Sequence, residues 1–129
     1  MRLLLDTHIL LWALEDGTRL TAEMRRQLQD RANDVLFSAA SVWEIAIKTM
    51  LGRADFGVQP QEIVEAARET GFMELPVSAA AAARVSELPQ FHRDPFDRLL
   101  IAQAITEPAR LYTADRLLRR YSELVTVMA

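Results

Sequence analysis

Cysteine is absent from the chain. Its absence excludes disulfides, thiolate catalysis and cysteine-held zinc or iron-sulfur centres, and it fits a reducing cytoplasm. Glycine is scarce, with four in 129 residues. None of the four falls in a G-x-x-x-x-G-K-[ST] or G-x-G-x-x-G pattern, so nucleotide switches and dinucleotide enzymes are disfavoured. G-x-S-x-G is missing too, which removes the strained serine turn of the α/β-hydrolases. No apolar run has the length of a membrane span: Leu3-Leu4-Leu5 is stopped by Asp6, and Ile9 to Leu14 is short and lacks a cleavage pattern. Met1 is therefore read as the start of a mature, soluble, cytoplasmic chain with no membrane partner. Positive charge is in deficit, with 15 Lys+Arg against 18 Asp+Glu and a formal charge of -3. This disfavours a protein that coats nucleic acid through net charge. It is compatible with carboxylates gathered around a metal while arginines elsewhere meet phosphates.

What is present is half hydrophobic, enough for one domain over residues 1–129 with a folded surface of about 6,900 Å². Arg2 to Asp6 reads as a short buried strand ending at Asp6, followed by a helix in Thr7 to Leu14. After a turn at Asp16-Gly17, a helix is expected over Thr21 to Arg31, then a strand at Val35 to Phe37. Ser41-Val42-Trp43-Glu44 has the S/T-x-x-E form of a capping box opening a helix that stops at Gly52. Further helices are expected over Pro60 to Arg68, Ser78 to Leu88, the run after Asp94-Pro95, and Arg116 to Tyr121. Strands are expected at Met73 to Leu75, Leu111 to Thr113 and Leu124 to Val127. Strands alternating with helices predict an α/β sandwich with a largely parallel central sheet.

Four acids follow four of these signals. Asp6 ends the first strand, Glu44 lies one turn beyond the second, Asp97 sits in the first turn of the helix after Asp94-Pro95, and Asp115 follows Leu111 to Thr113. In a parallel sheet such junctions line a crevice beyond the carboxyl ends of the strands. Acids that converge there repel one another, and a divalent cation relieves the repulsion. An oxygen-only set suits Mg²⁺, with Mn²⁺ as a substitute, better than zinc, since His8 and His92 lack zinc-motif spacing. Asp6, Asp97 and Asp115 are the expected ligands, with Glu44 and Asp94 as further candidates. Such a site can polarise a phosphodiester and activate a water.

Each acid also has a structural role to weigh. Asp94, Pro95 and Asp97 form an N-cap, N1 and N3 arrangement, so capping is the leading role for Asp94, which leaves Asp97 for the metal. Glu44 can complete the Ser41 box and pair with Lys48, and Asp6 and Asp115 can cap the helices they precede. Thr7 and Thr113 stand beside the acids as supporting donors to metal waters or phosphate. Arg98 and Arg116 directly follow Asp97 and Asp115 and are the preferred phosphate contacts among the arginines. Trp12 and Trp43 are expected in the core or an interface. Asp55-Phe56-Gly57 spells a kinase motif, but the chain is too short for the rest of that machinery.

The stretches LLLDTHILLWAL, SAASVWEIAIKTMLGR, LPQFHRDPFDRLLIAQA and LYTADRLLRRY together resemble the PIN-domain ribonucleases, and within them the VapC-like toxins of type II toxin-antitoxin modules. The resemblance implies a three-layer α/β/α sandwich with a short parallel sheet. It also implies a Mg²⁺- or Mn²⁺-dependent endoribonuclease whose acids fall on Asp6, Glu44, Asp97 and Asp115, with Thr113 as the small hydroxyl residue before the last. A homodimer held inactive by a cognate VapB-like antitoxin is the implied assembly. A DNA or structure-specific nuclease, or a non-catalytic protein whose acidic pocket takes a basic peptide, are the alternatives. A haloacid-dehalogenase-like phosphatase is weaker, because Asp6-Thr7-His8 lacks the second aspartate of DxD.

Overall fold

The computed structural model describes residues 1–52 and 57–128; Asp55 and Phe56 of the kinase-like triplet lie outside them. Strands β1 (Arg2–Leu5), β2 (Asp34–Ser38), β3 (Met73–Leu75), β4 (Arg110–Thr113) and β5 (Val125–Val127) form one sheet in the order β3-β2-β1-β4-β5. Every pairing among them is parallel. The helices are α1 (Thr7–Glu15), α2 (Ala22–Gln29), α3 (Ala39–Met50), α4 (Pro60–Thr70), α5 (Ala79–Arg84) and α6 (Pro95–Thr106), and 3₁₀ turns occupy Gly17–Arg19, Val85–Glu87 and Arg116–Tyr121. Among the described residues, no helix is long and apolar enough to cross a membrane.

The side chains of β1 explain the layering. Leu3, Leu4 and Leu5 are all fully buried, as a strand covered on both faces requires. Alternation sends Leu3 and Leu5 into a core shared with Ile9, Leu10, Phe37, Ile45 and Ile63. Leu4 joins Leu36, Leu100, Ile101 and Leu111 on the opposite face. Helices α1, α3 and α4 thus cover one face and α6 the other, which makes a three-layer α/β/α sandwich.

Strand order reverses between β1 and β4, the position at which a doubly wound sheet opens a crevice beyond its carboxyl edge. The register places the first acid there. Leu5 pairs with Phe37 on one side and Tyr112 on the other, so Asp6 emerges beside Ser38 and Thr113. Its backbone N–H still donates to the Tyr112 carbonyl at 3.0 Å.

Two local expectations change. The helix carrying Glu44 begins at Ala39, with the Ser38 hydroxyl accepting from the Ala40 N–H at 2.9 Å. Ser41 is therefore inside the first turns, fully buried, and the Ser41-to-Glu44 capping box does not form. The alanine-rich segment is shorter than expected as an α-helix and tightens into the 3₁₀ turn at Val85–Glu87. The Pro60 helix ends as expected: Gly71 adopts φ +95 at its C-cap, a conformation glycine reaches without a Cβ clash.

Helix α6 is locked to the sheet by Gln103, which is buried. Its side-chain carbonyl accepts from the Ser38 hydroxyl, and its amide donates to the Pro76 carbonyl at 3.3 Å. A leucine at this position fills the space but leaves a buried hydroxyl and a carbonyl unpaired. Gln103→Leu is expected to lower stability by about 1–3 kcal/mol, read as a shift of the urea midpoint at unchanged slope; an unshifted midpoint would show that the clamp contributes nothing.

Candidate metal centre

The four junction acids meet. Asp6, Glu44, Asp97 and Asp115 all line one cavity of about 320 Å³, with Thr7, His8, Trp12, Lys48, Asp94 and Ala114. They come from the end of β1, the second turn of α3, the first turn of α6 and the end of β4, so no two are delivered by the same element.

Two of the four, Asp6 and Asp115, cap the helical turns that follow them. One oxygen of Asp6 accepts from the Ile9 N–H at 2.8 Å and starts α1; the other accepts from the Thr113 hydroxyl. Asp115 accepts from the Leu117 N–H at 2.9 Å through one oxygen, while the other lies 3.5 Å from His92 Nε2. Asp94 uses a single oxygen for both the Phe96 and Asp97 N–H groups, at 2.8 and 3.2 Å. With Pro95 at N1 it forms the cap read from the sequence, and Asp97 is left to face the pocket.

Glu44 is buried and held at both oxygens. Thr7 donates to one at 2.6 Å, and Lys48 closes on the other at 2.7 Å. The Thr7 hydroxyl also lies 3.0 Å from the Ser41 hydroxyl. The hydroxyls of Thr7 and Thr113, expected as donors to metal waters or phosphate, bond the carboxylates of Glu44 and Asp6.

Arg98 requires a correction. It is buried, and its guanidinium donates to the carbonyls of Val85, Leu88, Pro89 and His92 and lies 3.3 Å from the Tyr121 hydroxyl. It is bound by backbone acceptors and is not available to a phosphate. Arg116 is exposed on the 3₁₀ turn that Asp115 caps, outside the residues lining the cavity. Trp43, expected in the core or an interface, is 59% exposed with its ring edge against Phe96, and Trp12 lies at the pocket wall.

His92 is the residue that sequence reasoning passed over. Its Nε2 lies 2.8 Å from Asp97 Oδ2. Together with Asp97 and Asp115 it offers three ligand atoms within 4.8 Å of one another. No local signal marks it: its fold-back over the first turn of the helix depends on the Tyr121 hydroxyl, 29 residues away, and zinc-motif spacing does not report such a contact. The oxygen-only donor set expected from the sequence therefore has a nitrogen beside it.

Burial pushes the Asp6 carboxyl above its ordinary range, partly offset by the Thr113 and Ile9 bonds. Asp97 is pushed up to about 6, first by burial and next by the charge of Asp94, against the opposing bond to His92. Five carboxylates and one lysine line the cavity, a donor set that fits a divalent cation and strains without one. For a carboxyl with a raised folded value, the folded chain binds more protons than the unfolded chain between the two values. Asp97 is therefore expected to lower the stability of metal-free protein as pH rises from about 4 to 6, by up to roughly 3 kcal/mol. In chelator the wild-type urea midpoint should fall relative to that of Asp97→Asn across this range, and Mg²⁺ or Mn²⁺ should restore it; a wild-type midpoint that rises relative to the variant's would contradict the site.

Comparison with known proteins agrees with this architecture. The PIN domain family profile matches residues 3–124. Ribonuclease VapC22 of Mycobacterium tuberculosis is 32% identical over 130 residues, spanning 96% of this chain and 96% of that protein. The crystal structure of VapBC2 from Rickettsia felis, bound to a DNA fragment from their promoter, contains a chain that aligns with a TM-score of 0.71. That alignment covers 98% of this chain and 97% of the other at 17% identity, a likeness of fold. By the profile, by the full-length relative and by four acids gathered at the switch point of a five-stranded parallel sheet, this chain belongs to the PIN-domain family and, within it, to the VapC-like proteins.

Proposed function

We propose that this chain is a single-domain, metal-dependent endoribonuclease, the toxin of a type II toxin-antitoxin module acting in the cytoplasm. The observation that carries the reading is the convergence of Asp6, Glu44, Asp97 and Asp115 on one cavity from four separate elements. RNA as substrate is supported by the similarity to a protein named a ribonuclease. Asp6, Asp97 and Asp115 are the proposed ligands of Mg²⁺ or Mn²⁺, with Asp94 behind them. A bound cation supplies Lewis-acid polarisation of the phosphodiester, a more acidic water and charge compensation for the departing oxygen.

The chain's own groups do the rest. Glu44 has one oxygen on Thr7 and the other on Lys48, an arrangement that holds its carboxylate still, suited to orienting the attacking water and taking its proton. The water oxygen bonds to phosphorus as the bond to the 3'-oxygen breaks, the water's proton passing to Glu44 and the departing 3'-oxygen taking one from solvent, leaving 5'-phosphate and 3'-hydroxyl ends. Thr113 fixes Asp6, and the Asp94 cap fixes Asp97. Arg116, exposed beside Asp115, is the proposed phosphate contact.

A VapB-like antitoxin is the proposed inhibitor. A basic side chain placed among these acids would replace part of the cation's charge and obstruct the phosphate. A homodimer belongs to the same proposal, and the exposed Trp43 and Met50 on α3 and Leu51 just past it provide apolar surface for association.

Wild type and Asp97→Asn should be compared on cellular RNA with Mg²⁺, Mn²⁺ and chelator, alongside single-stranded and flap DNA. Metal-dependent RNA cleavage is expected from the wild type, reduced on the order of a hundredfold or more in the variant. Equal cleavage by both would remove Asp97 from the mechanism, and preferential cleavage of DNA would replace the substrate assignment. Binding of a basic peptide without any turnover would make the pocket a docking site.

A further inference from the structure

We propose that His92 supplies an imidazole nitrogen to the cation held by Asp97 and Asp115, making the centre a mixed nitrogen and oxygen site; this rests on the metal-dependent reading above. Adjacent ligands of an octahedral ion at about 2.1–2.2 Å lie about 3 Å apart. His92 Nε2 is 2.8 Å from the Asp97 oxygen and 3.5 Å from the Asp115 oxygen. These separations bracket that edge, so one ion can reach all three atoms with small side-chain adjustments.

The loop that carries the histidine is built to hold it there. The His92 N–H donates to the Tyr121 hydroxyl at 2.7 Å, and the His92 carbonyl lies within 3.4 Å of both the Tyr121 hydroxyl and the Arg98 guanidinium. Next to it, the Phe91 ring packs edge-on against Tyr121 at 5.2 Å and carries the Arg120 guanidinium 4.2 Å from its centroid. Arg98 bonds in turn to three earlier carbonyls of the same approach to α6. These anchors act on the backbone and neighbouring side chains, and none uses the imidazole. Ligation by Nε2 requires its lone pair, with the ring proton on Nδ1.

An imidazole in place of one oxygen donor changes which ions the site prefers. Nitrogen favours Co²⁺ and, more weakly, Mn²⁺ over the harder Mg²⁺. His92→Gln keeps a neutral hydrogen-bond donor for Asp97 but removes the imidazole, which separates ligation from mere positioning.

The chain has two histidines, so the nitrogen can be assigned. His8 is exposed at the pocket wall, outside the three-residue cluster. Mn²⁺-loaded wild type, His92→Gln, His8→Gln and Asp115→Asn should be examined by electron spin-echo modulation, with Mn²⁺, Co²⁺ and Mg²⁺ affinities by titration and metal-free urea midpoints as the folding control. The expected result is a ¹⁴N coupling in the wild type and His8→Gln that disappears in His92→Gln. Co²⁺ and Mn²⁺ binding should weaken roughly tenfold or more in His92→Gln, with Mg²⁺ affected less. Mn²⁺ bound at a site sensitive to Asp115→Asn but without nitrogen coupling overturns the inference and leaves the metal-dependent reading standing. A coupling that survives His92→Gln overturns it as well. No Mn²⁺ binding sensitive to Asp115→Asn overturns both.

Discussion

The repulsion among carboxylates brought to one small cavity is the constraint on which the rest of the site depends. Two unit charges about 4 Å apart interact by roughly 4 kcal/mol in a partly solvated protein environment, and five carboxylates line this cavity. The fold counters the repulsion with bonds that double as helix starts. Asp6, Asp94 and Asp115 each accept backbone N–H groups, and Asp6 takes the Thr113 hydroxyl as well. A capping bond lowers the cost of keeping a carboxylate charged and fixes its direction. The same act that begins a helix therefore aims an acid. Capping does not exclude the proposed chemistry for Asp6 and Asp115, since each caps through one oxygen and turns the other to a partner outside the helix start.

Placement of those caps follows from the sheet. A parallel strand must be followed by a connection that leaves its carboxyl end, so the first residue after each strand stands at the same edge. Asp6 follows β1 directly, and Asp115 follows β4 after one alanine. Because β1 and β4 are neighbours at the point where strand order reverses, their following helices diverge to opposite faces. The gap between them is where the cavity opens. Asp97 reaches it from α6 on one face and Glu44 from α3 on the other, so the cavity is shared by all three layers.

Much of this is legible in the chain. Short apolar runs mark β1, β2 and β4, with Asp6 directly after the first and Asp115 just after the last, and the Asp94-Pro95 cap by itself places Asp97 in the first turn of α6. The Ser41 box fails for a local reason. Ser38 stands earlier, at the true end of β2, and two alanines with high helix propensity follow it, so the helix begins there. Arg98 fails as a phosphate contact for a geometric one. Residues i and i+1 of a helix lie about 100° apart, so an arginine directly after a pocket-facing aspartate points elsewhere. That periodicity is present in the sequence. The fold-back of His92 is not, because it depends on Tyr121, whose hydroxyl arrives from a segment 29 residues away.

Mild acidity and the polyanionic substrate proposed above are reconciled by where the charges sit. The formal charge of -3 is less than the charge of the five cavity carboxylates alone. The rest of the chain, taken without them, is therefore slightly basic. Lys48 offsets one of those five negative charges, and a divalent ion would offset two more, which would leave the cavity less repulsive to a phosphate. The exposed Arg93, Arg116, Arg119 and Arg120 flank the segments that carry Asp97 and Asp115, so the positive charge outside the cavity is close to its mouth in sequence. Net charge says little about such a protein. The charge a phosphate chain would meet there depends on occupancy, so under the proposed function a bound cation would ease substrate approach as well as supply chemistry.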